Sequence, residues 1–136
     1  MNVGFVGLGL IGFKRAYSLP SDANIIFGID PSKSARKSFE KTFHCEVYEE
    51  LNDELFKRVD ALFICTIHQF LAPIACKSIS KGLHTFVEKP GAINYESVLK
   101  IKKEFDKKNN TIFSFGFNHR FHPAFQYLKN YIEANN

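Results

Sequence analysis

The chain has 136 residues, of which 45% are hydrophobic and 24% charged, and its formal net charge is +4. A chain of this size and composition buries enough surface to fold as one domain without disulfide staples. It contains no apolar run of about 18 residues that would span a bilayer and no signal-peptide pattern, so the sequence predicts a protein that does not insert into membranes.

Alternating strand-like and helical patterns run through the chain from residue 3 to its end. Strands are predicted at 3–8, 24–30, 45–48, 60–66, 84–88 and 112–117. Helices are predicted at 10–19, 33–43, 53–57, 70–81 and 95–107. Strands that are apolar almost throughout belong to a sheet covered on both faces. The sequence therefore predicts an α/β fold, a doubly wound parallel sheet of about six strands, with a trailing C-terminal helix.

The first strand passes directly into a glycine-rich turn. The first glycine permits a tight turn, the second leaves room for a pyrophosphate beside the main chain, and the third lets the next helix pack closely on its strand. That helix directs its unpaired amide groups and its positive dipole end at the phosphates. The turn therefore predicts a dinucleotide site. Its residues are Gly7, Leu8, Gly9, Leu10, Ile11 and Gly12.

The second strand ends in Asp30, close to the distance of about 20 residues beyond the glycines at which a ribose-binding acid is expected. Its carboxylate would accept hydrogen bonds from the adenosine ribose and repel a 2′-phosphate, which favours NAD over NADP. Arg15, Lys33 and Arg36 keep NADP open as a cofactor. A plain Asp-Pro turn at the strand end is the alternative for Asp30.

Three cysteines, Cys45, Cys65 and Cys76, form neither an even disulfide set nor a metal-ligand spacing. We interpret them as reduced, mostly buried thiols of a cytoplasmic protein, and we expect no metal site.

The excess of positive charge does not indicate a nucleic-acid partner. Much of it lies on one predicted helix that carries an apolar stripe at Val98, Ile101 and Phe105, so its lysines are expected to form a solvated face. These lysines are Lys100, Lys102, Lys103, Lys107 and Lys108.

The last helix begins near Pro123 and carries an apolar stripe of Phe125, Leu128 and Ile132. Six strands already complete a cofactor domain. This helix is therefore expected to lead toward a partner or a further domain.

An ordered set of motifs extends from residue 3 to residue 125. It consists of the glycine turn, Asp30, Cys65-Thr66-Ile67-His68, Gly82-Leu83-His84, Glu88-Lys89-Pro90 and Gly116-Phe117-Asn118-His119-Arg120-Phe121-His122-Pro123. In this order the motifs resemble the Gfo/Idh/MocA oxidoreductases, the group of glucose-fructose oxidoreductase and inositol dehydrogenase. The resemblance implies a dinucleotide-binding Rossmann domain over residues 1–121 and a connecting helix over residues 122–136.

The resemblance assigns a catalytic role to Lys89, because the lysine of the Glu-Lys-Pro motif reaches substrate and cofactor in that family. When a sugar C–H bond gives up hydride, the adjacent hydroxyl must lose its proton, and a nearby ammonium stabilises the developing alkoxide or relays that proton. Glu88 and Lys89 are also expected to contact the cofactor. An exposed Glu-Lys pair before a turn is the alternative. Lys89-Pro90 is a candidate for a cis peptide bond.

By the same resemblance, Cys65, Thr66 and His68 line the nicotinamide side of the cofactor cleft. The family often has asparagine at the position of His68, so capping of the following helix stays open for this histidine. Asn118 and Arg120 lie where the family's chain turns toward the substrate, and an arginine there would bind an acidic or phosphorylated sugar. A structural role at the domain junction is the alternative for Arg120.

Members of that family are much longer and carry a second α/β domain with further catalytic groups. The resemblance implies an NAD-dependent oxidoreductase that acts on the hydroxyl or keto group of a sugar, cyclitol or sugar nucleotide. This segment would be catalytically incomplete by itself, and any homo-oligomer would form through the missing domain. The alternative is a non-catalytic NAD-binding module or scaffold. The sequence leaves the substrate and the reaction direction open.

Overall fold

The structure, a computed structural model, describes residues 1–108 and 110–135. The last residue of the predicted connecting helix, Asn136, lies outside the described residues. The described chain forms a six-stranded parallel sheet with helices packed on both faces. The predicted doubly wound α/β fold is confirmed.

Every predicted strand and helix is present; the helix predicted at 33–43 has the predicted ends, and the other elements differ at one or both ends. The strands are β1 Asn2–Val6, β2 Asn24–Ile29, β3 Glu46–Tyr48, β4 Ala61–Ile64, β5 His84–Val87 and β6 Phe113–Phe115. The helices are α1 Leu10–Tyr17, α2 Lys33–Phe43, α3 Asp53–Phe56, α4 His68–Ser80, α5 Tyr95–Phe105 and α6 Pro123–Ala134. Except for β3, which ends at Tyr48 as predicted, the strands stop before the predicted ends because the following residues turn into loops, as Gly7 does with a φ of 92°.

The strand order is β3-β2-β1-β4-β5-β6. Successive crossovers run outward from β1 to β3 and then, from β4, outward in the opposite direction, so the direction reverses between β1 and β4. Parallel sheets with this order bind ligands at that reversal, beyond the carboxyl ends of the strands. A ligand site is therefore expected at the loops that follow β1 and β4.

Two apolar cores lie on opposite faces of the sheet. The larger packs α3, α4 and α5 against the strands, and the smaller lies beneath α1 and α2. Phe39 on α2 is fully buried at the centre of the smaller core. Its ring centroid lies 5.2 Å from that of Phe13 and 4.5 Å from that of Phe43. The packed phenylalanine rings thus cover this face of the sheet.

The basic helix is an amphipathic surface helix, as predicted. Ile101 on α5 is only 1% exposed, and Val98 and Phe105 pack against the same core. Lys100, Lys102, Lys103 and Lys107 are exposed, whereas Lys108 is half-buried, and the last two of these five lysines follow the end of α5.

All three cysteines are free thiols. Cys45 is buried, whereas Cys65 and Cys76 are half-buried. Burial raises the pKa of the Cys45 thiol to about 11.

The C-terminal part of the chain stands apart from both cores. After Gly116, all described residues are exposed. Helix α6 contacts the short 3-10 turn Asn118–Phe121, where the ring of His119 stacks on Phe125 at a centroid distance of 5.9 Å. Its apolar residues Phe125, Leu128 and Ile132 are 49–53% exposed. The apolar stripe predicted for this helix is real and lies uncovered.

Among the described residues, no helix combines the length and the apolar character needed to cross a bilayer.

We expect Phe39→Ala to lower the free energy of unfolding by about 3–5 kcal/mol, because the change opens a cavity in a closed aromatic core. Phe121→Ala is the matched control, since that ring is 70% exposed, and we expect it to change stability by less than about 1 kcal/mol. Urea unfolding followed by circular dichroism measures both. Equal losses in the two variants would contradict the assignment of this core.

Candidate functional site

A row of backbone hydrogen bonds aligns the loops at the carboxyl edge of the sheet. After five of the strands, the next residue still donates its amide to a neighbouring strand. The pairs are Asp30 to Tyr48 (3.2 Å), Gly7 to Ile29 (2.8 Å), Cys65 to Val6 (2.7 Å), Glu88 to Ile64 (2.9 Å) and Gly116 to Val87 (2.8 Å). The residues that leave the sheet are thereby held in one line.

A cleft of about 730 Å³ opens along this line. Its volume lies within the range of about 300–1,000 Å³ that is usual for small-molecule and cofactor sites. The structure brings nine of the predicted site residues together on its walls. They are Gly7, Gly9, Ile11, Asp30, Cys65, Thr66, His68, Glu88 and Lys89. Leu8, Leu10, Gly12, Asn118 and Arg120 are not among the residues that line it.

The three glycines of the turn meet different constraints. A Cβ on Gly7 would lie 2.5 Å from the carbonyl carbon of Cys65, and a Cβ on Gly12 would lie 2.1 Å from the carbonyl oxygen of Gly7. Both glycines are therefore required by the packing of the chain itself. A Cβ on Gly9 would meet no atom within 4 Å. The fold does not require glycine there, and the open space beside its backbone is available to a ligand.

Two of the predicted turn residues do not face the cleft. The side chain of Leu8 is 1% exposed and belongs to the smaller core, so this residue anchors the turn. Leu10 is 72% exposed and begins α1. Neither residue is among those that line the cleft.

Asp30 braces the glycine turn. Its Oδ2 accepts a hydrogen bond from the amide of Leu8 at 2.8 Å, and its Oδ1 accepts one from the amide of Ser32 at 2.8 Å. Arg36 donates to the carbonyl oxygen of Asp30 at 2.7 Å and pairs with Glu49 at 3.1 Å. The contact between Asp30 and Leu8 joins the β2 loop to the β1 loop, which a plain Asp-Pro turn does not do.

The structure corrects the role considered for Arg15. The sequence left this residue available to a 2′-phosphate, whereas its Nε and Nη2 both contact Oε1 of Glu88. Its Nη2 also donates to Oδ1 of Asn118 at 3.2 Å, and its guanidinium carbon lies 5.2 Å from the centroid of the Phe86 ring. The reason is the position of Glu88, a buried acid for which Arg15 supplies the counter-charge.

Glu88 and Lys89 do not form the exposed pair considered as an alternative. Glu88 is 6% exposed, and its Oε2 accepts a hydrogen bond from the backbone amide of Lys89 at 3.1 Å. The Lys89 side chain is exposed in the cleft. The Lys89-Pro90 peptide bond is cis, and the turn closes through a hydrogen bond from Gly91 to the carbonyl oxygen of Glu88 at 2.9 Å.

His68 is the first residue of α4, and the N-cap residue is Ile67, without a side-chain cap. The capping role considered for His68 is therefore wrong, and the histidine is exposed in the cleft. Beside it, burial and the nearby charge of Glu88 raise the pKa of the Cys65 thiol to about 12, against the opposing effect of Arg15. Cys65 thus contributes a neutral wall to the cleft.

Asn118 and Arg120 lie on the exposed turn after β6. Asn118 accepts the hydrogen bond from Arg15, whereas Arg120 donates to Oγ of Ser114 at 3.0 Å and stacks over Phe121 at 4.8 Å. Their assignment to the substrate stays a prediction. In the part of the chain that the structure describes, no three His, Cys, Asp or Glu residues are grouped to hold a metal ion.

Comparison with protein families gives a match over most of the chain. The model of the Gfo/Idh/MocA oxidoreductase family, described as having an NAD-binding Rossmann fold, matches residues 1–117.

Individual relatives and solved structures agree with this match. The chain is 33% identical to a myo-inositol 2-dehydrogenase of Thermotoga maritima and 28% identical to a glucose-6-phosphate 3-dehydrogenase of Bacillus subtilis. It superposes with a TM-score of 0.87, at 23% identity, on a scyllo-inositol dehydrogenase of Lactobacillus casei solved with NAD(H) and scyllo-inositol. Each of these matches covers 98% of this chain but only 38–41% of the other protein. The chain thus spans about two-fifths of the length of these relatives.

We expect Gly12→Ala to lower the free energy of unfolding by about 1–3 kcal/mol, because the new methyl group would force α1 away from the Gly7 carbonyl. Gly9→Ala is the matched control. It adds the same methyl group in open space, so we expect a change below about 1 kcal/mol. Thermal unfolding of the two variants measures the difference, and equal stabilities would refute the close approach at Gly12.

Proposed function

Because the chain belongs to the Gfo/Idh/MocA oxidoreductase family, we propose that it forms the nucleotide-binding part of an NAD-dependent dehydrogenase for a sugar, cyclitol or sugar nucleotide. One observation carries this proposal. The glycine turn, Asp30 and Lys89 line the same cleft at the point where the sheet reverses direction.

The residues of the cleft fit a dinucleotide. The backbone at Gly9 is open on the side where a side chain would stand. The first amides of α1 have no partner within the helix and can donate to phosphate oxygens. Thr66 and His68 follow β4 across the reversal point and supply a hydroxyl and an imidazole to the same cleft.

We propose NAD rather than NADP as the cofactor. The Asp30 carboxylate is fixed by two backbone amides, so it stays at the ribose end of the cleft and opposes a 2′-phosphate there. Three cations kept NADP open as a cofactor in the sequence, and two of them are already paired with carboxylates. Arg15 is paired with Glu88 and Arg36 with Glu49.

Lys89 is the proposed catalytic residue. NAD, when bound, supplies the hydride acceptor or donor. The protein must then move the hydroxyl proton and stabilise the alkoxide, and an exposed ammonium in the cleft can do both. The Cys65 thiol, whose pKa is raised to about 12, has no nucleophilic part in this scheme.

We further propose that residues 1–121 form the dinucleotide domain and that α6 leads into a substrate-binding domain of the whole enzyme. The uncovered apolar stripe of α6 and the greater length of the relatives support this organisation. Any homo-oligomer would form through that further domain. Three free cysteines are consistent with the reducing cytoplasm as its compartment.

The full-length protein should reduce NAD in the presence of one member of a panel that contains myo-inositol, scyllo-inositol, glucose 6-phosphate and UDP-N-acetylglucosamine. NADH absorbance measures turnover, and calorimetry measures cofactor binding. NAD binding without turnover on any sugar-type compound would favour the non-catalytic module. Absence of NAD binding would contradict both functions.

In the active full-length enzyme, we expect Lys89→Ala to lower kcat by about 10²–10⁴-fold, because it removes the group that handles the hydroxyl proton. NAD affinity should change little, since the glycine turn and Asp30 are untouched. Lys103→Ala, at an exposed position on α5, is the matched control and should leave kcat unchanged. Undiminished turnover in the Lys89 variant would remove its catalytic assignment.

We expect Asp30→Asn to shift the NAD-to-NADP preference toward NADP by about tenfold or more, because it removes the charge that repels the 2′-phosphate. The asparagine carbonyl still accepts the hydrogen bond from Leu8, so the glycine turn is retained. Calorimetric titration with both cofactors gives the ratio. Asp30→Ala removes charge and brace together, so binding of either cofactor should be weaker than in the asparagine variant. An unchanged ratio in Asp30→Asn would exclude the ribose role.

A further inference from the structure

The largely buried pair formed by Arg15 and Glu88 adjoins the backbone of the proposed catalytic lysine, whose amide donates to Glu88. The Glu88 side chain is 7% exposed and that of Arg15 is 23% exposed. By comparison, the side chains of the surface pair Arg58 and Glu46 are 37% and 56% exposed. A pair that is withdrawn from water is screened less than a surface pair, so its effect on neighbouring charges is larger.

Arg15 is held from several sides. It contacts Glu88 directly after β5, donates to Asn118 after β6 and lies over the ring of Phe86. An arginine fixed in this way presents its charge in one place without further loss of side-chain freedom. These contacts therefore hold the guanidinium in a fixed position beside the carboxyl edge of the sheet.

Glu88 has a second cation available. It is the residue before Lys89, and its Oε2 already accepts the hydrogen bond from the Lys89 amide. Without Arg15, this buried carboxylate can recruit the ammonium of Lys89, the next residue in the chain, as its counter-charge. An ammonium drawn back to Glu88 leaves the open part of the cleft.

We propose that Arg15 is a positioning residue that engages the Glu88 carboxylate and thereby keeps the Lys89 amine free to act on substrate. This role rests on the proposed function for its catalytic meaning. The proposed competition between two cations for one buried carboxylate does not itself depend on that function. Arg15 itself touches neither substrate nor cofactor in this role.

The competition can be measured on the chain itself. Acylation by an amine-reactive ester, quantified by mass spectrometry against the exposed Lys41 on α2, reports how free the Lys89 amine is. We expect Arg15→Met to slow acylation of Lys89 by about threefold or more, as expected for a new pair with a buried carboxylate. The double variant Arg15→Met/Glu88→Gln should return to the wild-type rate, because no carboxylate remains to capture the amine.

Two further variants make the result decisive. Arg15→Gln keeps hydrogen-bond donors for Glu88 and Asn118 but removes the charge, and it carries the test if Arg15→Met does not fold. Arg58→Met removes an arginine–glutamate pair whose residues do not line the cleft, and it should leave Lys89 acylation unchanged. An unchanged Lys89 rate in a folded Arg15 variant would overturn the proposal, as would slowing that persists in the double variant.

In the active full-length enzyme, Arg15→Gln should lower kcat by about tenfold or more and leave the KM for NAD within about twofold. Adding Glu88→Gln should recover most of the lost kcat. A purely structural role would move KM and stability together and would not be rescued in this way. If no variant shows turnover, the proposed function fails, whereas the acylation result still decides the competition for Glu88.

Discussion

The row of amide-to-carbonyl hydrogen bonds along the carboxyl edge of the sheet is the constraint on which the site depends. Each bond extends the parallel ladder by one residue beyond the end of a strand. Because this residue is still held by a neighbouring strand, the loop that follows it begins from a fixed place. Asp30, Gly7, Cys65 and Glu88 acquire their mutual positions in this way, although they come from four separate parts of the sequence.

Two carboxylates then tie neighbouring loops to one another. Asp30 receives the amide of Leu8, which connects β2 to the glycine turn. The carboxylate of Glu88, the residue after β5, accepts a hydrogen bond from Arg15. This contact connects β5 to α1, the helix that follows the same turn. Asp30 therefore supports the glycine turn directly, and Glu88 supports the helix that follows it. The amine of Lys89 is the charged group that this arrangement leaves exposed in the cleft.

The order and type of the elements were predictable because they follow from local patterns. Apolar runs, glycine spacing and the stripe of α5 each depend on residues close together in the chain. The ends of the strands were less predictable, because the ladder is broken by turns such as that at Gly7 rather than by a change in hydrophobicity. Motif spacing also placed Asp30 directly after β2, and the Glu-Lys-Pro motif placed Lys89 two residues after β5.

The partners of charged side chains were not predictable, because they depend on contacts across the sheet. Arg15 and Glu88 are 73 positions apart in the chain, and no periodicity relates them. The sequence therefore left Arg15 open to the 2′-phosphate of NADP and assigned Glu88 to the cofactor, with an exposed Glu-Lys pair as the alternative. A buried acid at the end of a strand is the signal that could have prompted a search for a distant cation.

The brace between Asp30 and Leu8 also bears on how coenzyme choice could evolve in such a chain. Under the proposed function, one carboxylate selects the coenzyme and supports the loop that cradles it. Most replacements at this codon would alter both properties together. A lineage drifting toward the phosphorylated coenzyme would thus pass most easily through asparagine, the amide that conserves the brace while discarding the charge.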